Sequence, residues 1–96
     1  MTDKKRAQNT PKLTWDDSQM STSYANVCNV SSTREEVTLL FGTNQTWHTG
    51  QKEVAIKLSD RIILNPYAAK RLSNLLGKVV EEYENRFGTI GDGSES

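Results

Sequence analysis

The chain has one cysteine, Cys28, and one histidine, His48, in 96 residues. A single cysteine excludes an internal disulfide. A single histidine, with no cysteine or carboxylate cluster at ligand spacing, excludes the usual zinc arrangements. Net charge is also lacking: twelve basic residues meet twelve acidic ones. A protein held to nucleic acid by its field needs a concentrated positive surface, so nucleic acid is not the expected partner. No apolar run reaches the ~18 residues of a membrane span, and no signal-peptide core follows the N-terminal charges. The expectation is a cytoplasmic chain without a membrane partner. G-x-S-x-G, glycine-rich phosphate loops and H-E-x-x-H are all missing, and Glu35 and Glu36 point to opposite faces of a strand. A catalytic constellation cannot be assembled, so the expectation is no enzyme, no cofactor and no metal.

Hydrophobic residues make up 34% of the chain and are unevenly placed. Residues 1–21 offer little beyond Leu13, Trp15 and Met20 as anchors, and residues 91–96, "GDGSES", offer none. Both ends are expected to be disordered tails, because so little burial cannot offset the entropy of ordering them. That leaves residues 22–90 as one small α+β domain. A domain of that size is marginal alone.

Within it, "YANVCNV" (24–30) and "EVTLLFG" (36–42) read as two strands, the second with Val37, Leu39 and Phe41 on one face and Thr38 and Leu40 on the other. Gly42 is read as the end of that strand. The polar middle, "SSTREE", fits a hairpin connection, although Ser32 to Glu35 also fits a capping box that would start a helix. The β-branched residues that follow favour the hairpin. A glycine-bounded polar loop carrying Trp47 and His48 comes next (42–53). "VAIKLSDRIIL" (54–64) then reads as a third strand with Val54, Ile56, Leu58, Asp60, Ile62 and Leu64 on one parity. A bulge or bend is expected at Ser59-Asp60-Arg61.

The helix is the clearest element. Asn65 suits the N-cap, Pro66 the first turn and Gly88 the C-cap. Ala68, Leu72, Leu75, Leu76, Val79, Val80, Tyr83 and Phe87 recur at three- and four-residue spacing. Leu72 and Val79 are expected at the centre of a helix–sheet contact, and Glu82 and Arg86 have the spacing of an i,i+4 ion pair. The predicted fold is an antiparallel sheet of three to four strands followed by one long C-terminal helix, completed by oligomerisation. One helix covers one sheet face. Leu40 and Ile63 would remain on the other, and with Trp47 they are the candidate partner-binding residues. The expected partners are a second copy, as a homodimer or larger assembly, and an unidentified protein. The expected function is therefore a non-enzymatic protein-binding module, adaptor or chaperone-like; a nucleic-acid-associated regulator is the alternative.

Three motifs in this order, "YANVCNVSSTREEVTLLFG", "DRIILNPYAAKRL" and "YENRFGTI", resemble the bacterial domain-of-unknown-function family 3467. The resemblance covers about residues 24–90. It rests on Tyr24, Ala25, Asn26, Ser32, Glu35, Phe41, Pro66, Ala69, Arg71, Leu72 and the Phe87-Gly88 pair. It implies a β-rich half followed by a helix, and it implies no activity. The loop bearing Trp47 departs from the pattern by its length. Strands leading through "ILNPYAAKRL" into a helix also resemble, in topology alone, export chaperones of the SecB type. That likeness implies an oligomeric sheet that holds unfolded chains.

Overall fold

The computed structural model describes residues 10–45 and 55–91. Three strands form an antiparallel sheet in the order β1 (Val27–Ser32), β2 (Val37–Asn44), β3 (Ile56–Leu64), and one helix, α1 (Pro66–Phe87), follows. The protein is thus α+β, with a three-stranded meander and a C-terminal helix.

Residues 33–36 are a hairpin connection and not a helix start. The Thr33 N–H donates to the Glu36 carbonyl at 2.9 Å, and the Glu36 N–H donates to the Thr33 hydroxyl at 3.3 Å. The hydroxyl that closes the turn belongs to Thr33, the neighbour of Ser32, which is the residue a capping box would have used.

Gly42 does not end β2, which continues to Asn44. At this point β3 comes so close that a Cβ on Gly42 would run into the Lys57 carbonyl oxygen and meet the Leu58 Cα at 3.0 Å. Glycine is required there by space. The close approach coincides with the expected bulge: Phe41 pairs with Asp60 but Gly42 pairs with Leu58, leaving Ser59 as the extra residue. The Ser59 hydroxyl donates to the Phe41 carbonyl at 3.3 Å.

One inserted residue reverses the parity of everything beyond it. Ile56 and Leu58 therefore do not share a face with Asp60, Ile62 and Leu64, as simple alternation predicts. One sheet face carries Val37, Leu39, Phe41, Asp60, Ile62 and Leu64, with Cys28 and Val30 from β1. The other carries Leu40, Leu58, Arg61 and Ile63, with Val27 and Asn29.

The helix is built as its caps predict. The Asn65 Oδ1 accepts from the Ala68 N–H at 2.8 Å, and Pro66 occupies the first turn. Gly88, at φ 102°, lets its N–H reach the Glu84 carbonyl at 2.8 Å. The Glu84 carboxylate also accepts from the Ile90 N–H at 2.8 Å, which fixes the exit of the chain.

The helix–sheet contact expected around Leu72 and Val79 is absent. Leu72 is 39% exposed and Val79 60%. Only Asn65 separates β3 from α1, and its extended backbone (φ −72°, ψ 162°) carries the chain straight on. A one-residue joint has no length in which to fold the helix back over the sheet. The consequence is an elongated chain, 69 Å along its major axis and about 32 Å across, with a radius of gyration of 19.3 Å. A compact chain of this length has roughly 12–13 Å. Among the described residues no hydrophobic side chain is fully buried.

Candidate interaction surfaces

Three surfaces are left open by this arrangement. The first is the apolar stripe of α1, where Leu72, Leu75, Leu76, Val79, Val80, Tyr83 and Phe87 are between 38% and 66% exposed. Large side chains at such exposures offer roughly 600–700 Å² in one strip, above the ~300–600 Å² of the largest patch on a typical monomer. The Tyr83 and Phe87 rings lie 4.9 Å apart at 44° and continue the strip to the end of the helix. The Glu82–Arg86 ion pair expected from spacing does not form: the Arg86 guanidinium sits over the Phe87 ring, 5.4 Å from its centroid. Among the described residues Glu82 has no ionic partner.

The second surface is the sheet face carrying Leu40 and Ile63. The structure puts both on that face, Leu40 half-buried and Ile63 52% exposed. Ile56 and Leu58, at 47% and 55% exposure, border a shallow concavity there with Val27, Asn29 and Leu40. Sequence alternation assigns these two to the wrong face, so the patch is larger than Leu40 and Ile63 alone. The bulge signal at Ser59 was the means to find them. Trp47, the third candidate, and His48 lie outside the described residues.

The third surface is the opposite sheet face, partly covered by the chain's own N-terminal segment. Ser21, Ser23 and Ala25 line a recess with Phe41, Asp60 and Ile62. The segment is tied down at Asn26, whose N–H donates to the Gly42 carbonyl at 3.0 Å while its Oδ1 accepts from the Asn44 N–H at 3.0 Å. Within the recess Asp60 Oδ1 is enclosed without a hydrogen-bond partner. Farther out, residues 10–20 form no helix or strand, and Trp15 is 86% exposed. A local turn is present: the Ser18 N–H donates to Asp16 Oδ1 at 3.0 Å and the Met20 N–H to the Asp17 carbonyl at 3.1 Å. The Ser18 bond holds the Asp16 carboxyl below its ordinary pKa. Of the tails expected at 1–21 and 91–96, residues 1–9 and 92–96 lie outside the described residues.

The two sheet edges differ. β1 reads "VCNVSS", with neither charge nor proline, and Cys28 on it is exposed. β3 carries Lys57, Asp60 and Arg61. Charged side chains guard an edge against added strands, so β1 is the less protected of the two. Among the described residues no group of three His, Cys, Asp or Glu side chains is placed to hold a metal ion, and no helix is long and apolar enough to cross a membrane.

No curated protein and no solved structure matches the chain. A family model does, over residues 1–92, and so takes in the N-terminal segment that lies on the sheet as well as the three motifs. The chain belongs to the family described as protein of unknown function DUF3467.

Proposed function

We propose that this protein is a non-enzymatic protein-binding module, adaptor or chaperone-like, that works as a homo-oligomer in the cytoplasm. The observation that carries the proposal is the exposed apolar surface. Seven side chains of the α1 stripe, and Ile56, Leu58 and Ile63 on the open sheet face, stand at 38–66% exposure, and among the described residues no hydrophobic side chain is fully buried. Apolar surface so placed needs covering surfaces from outside the chain. The helix stripe joins copies of the chain, and the Leu40–Ile63 face with the β1 edge receives the partner protein. An extended segment adding to an open edge gains main-chain hydrogen bonds without further design of the site.

The alternative, a nucleic-acid-associated regulator, has less support: Lys70, Arg71 and Lys78 share their helix with Glu81, Glu82 and Glu84. Two measurements on the full chain test the reading together. Sedimentation at micromolar concentration should show a dimer or larger. Capture from cell extract should retain protein after nuclease treatment and lose it with Leu40→Lys. A monomer that captures nothing refutes the reading, and capture abolished by nuclease favours the alternative.

A further inference from the structure

We infer that the occupant of the α1 stripe is the same stripe of a second copy, the two helices running antiparallel about a two-fold axis near Leu76 and Gly77, with Arg71 of each facing Glu82 of the other. The inference rests on the homo-oligomeric reading and specifies its interface.

The charge order of the helix selects the direction. Lys70 and Arg71 stand near its start and Lys78 past its middle; Glu81, Glu82 and Glu84 stand near its end and outnumber Arg86 there, so the start is net basic and the end net acidic. A parallel pair would set like charges side by side, while an antiparallel pair sets the basic start of one helix against the acidic end of the other. Antiparallel alignment also opposes the two helix dipoles favourably.

The position of two residues then fixes the register. Arg71 lies five residues in from Pro66, and Glu82 five residues in from Phe87. They are about three turns apart and so share one flank of the stripe. A two-fold axis perpendicular to both helices keeps each flank on its own side. Rotation about the helix midpoint therefore brings Arg71 opposite Glu82 of the second copy, and Glu82 opposite its Arg71. Neither side chain has a hydrogen-bond or ionic partner among the described residues of its own chain. The midpoint lies about three residues before the centre of the Leu72–Phe87 stripe, so this register sets the leucines near Leu76 against each other and Tyr83 and Phe87 over the first turns of the second copy.

Area supports this as one interface of the assembly. The ~600–700 Å² strip approaches the ~800 Å² per partner of a standard interface. A two-fold contact needs only one such patch, used by both copies.

The test uses the full chain and two kinds of variant. Arg71→Glu alone, or Glu82→Arg alone, turns both cross-pairs into repulsions and should raise the dimer dissociation constant about tenfold. Mixing the two single variants should restore association as a heterodimer, and so should combining both exchanges in one chain. In a Cys28→Ser background, Leu76→Cys should cross-link to itself under oxidation. Leu72→Cys should not, because antiparallel pairing separates the two positions by about 13 Å along the axis, beyond the ~7 Å reach of a disulfide. An oligomer that ignores the charge exchanges and cross-links through Leu72→Cys overturns the antiparallel pairing while leaving the oligomeric reading intact. An oligomer that ignores the exchanges and cross-links at neither position places the stripe against a sheet, and also overturns it. A wild-type monomer overturns both.

Discussion

Replacing Gly42 with alanine should destabilise the protein, although the added methyl group is the smallest change a glycine can suffer. Two effects oppose each other. Alanine removes conformational freedom from the unfolded chain and on that ground would stabilise by about 0.4–1 kcal/mol. In the folded sheet, however, the new Cβ meets the Lys57 carbonyl oxygen and the Leu58 Cα, both backbone atoms that cannot rotate away. β2 and β3 would have to part at the point where the Ser59 bulge already distorts the ladder. Overpacking of this kind costs about 1–3 kcal/mol, so the net sign is destabilising. For a domain of this size each kcal/mol moves the melting midpoint by about 4–8 °C.

Circular dichroism melts at one fixed protein concentration provide the assay, since association alters the midpoint. The midpoint should fall with Gly42→Ala. A Gly42→Ala variant melting at or above the wild type would refute the close approach of β3.

Asn65→Ala removes the cap that bonds the Ala68 N–H and should cost about 1 kcal/mol; helix signal in the melt will register it. Trp15→Ala, at an exposed position, should change stability by no more than ~0.5 kcal/mol. A larger drop in urea midpoint would mean that Trp15 is covered in the assembled protein. The Asp16 carboxyl, lowered by its bonds to Ser18, should titrate below the ordinary carboxylate range in an NMR pH series. The sign follows: the Asp16–Ser18 turn is favoured above the unfolded pKa and is lost as pH falls through the lowered one. Ser18→Ala and Ser18→Pro should separate the causes, since only the second removes the N–H donor.

The parts of the fold that sequence made legible are those settled by neighbours in the chain. Asn65, Pro66 and Gly88 bound the helix because capping chemistry acts within one turn. The hairpin at 33–36 was readable because the β-branched run after it outweighs a capping box. What was not legible depends on the far side of a contact. Gly42 reads as a strand end, but its requirement comes from Lys57 on the next strand. Ile56 and Leu58 fall on the face of Leu40 because Ser59 is inserted, and alternation counted without the insertion gives the opposite face. The helix period shows that Leu72 and Val79 belong to an apolar stripe. It says nothing about what covers them, and the one-residue joint at Asn65 takes them away from the sheet. Leu40 and Ile63 were found in sequence as residues left over after the helix had covered one face. They do lie on one face, yet the helix covers neither.

The central claim is that this chain needs a second copy to cover what it leaves exposed. Thermal midpoints of the full chain, measured from about 1 to 100 μM beside sedimentation equilibrium on the same samples, test it most directly. The account predicts a dimer or larger at micromolar concentration and a midpoint that climbs as concentration rises. A fully folded monomer whose midpoint does not move across that range would contradict it.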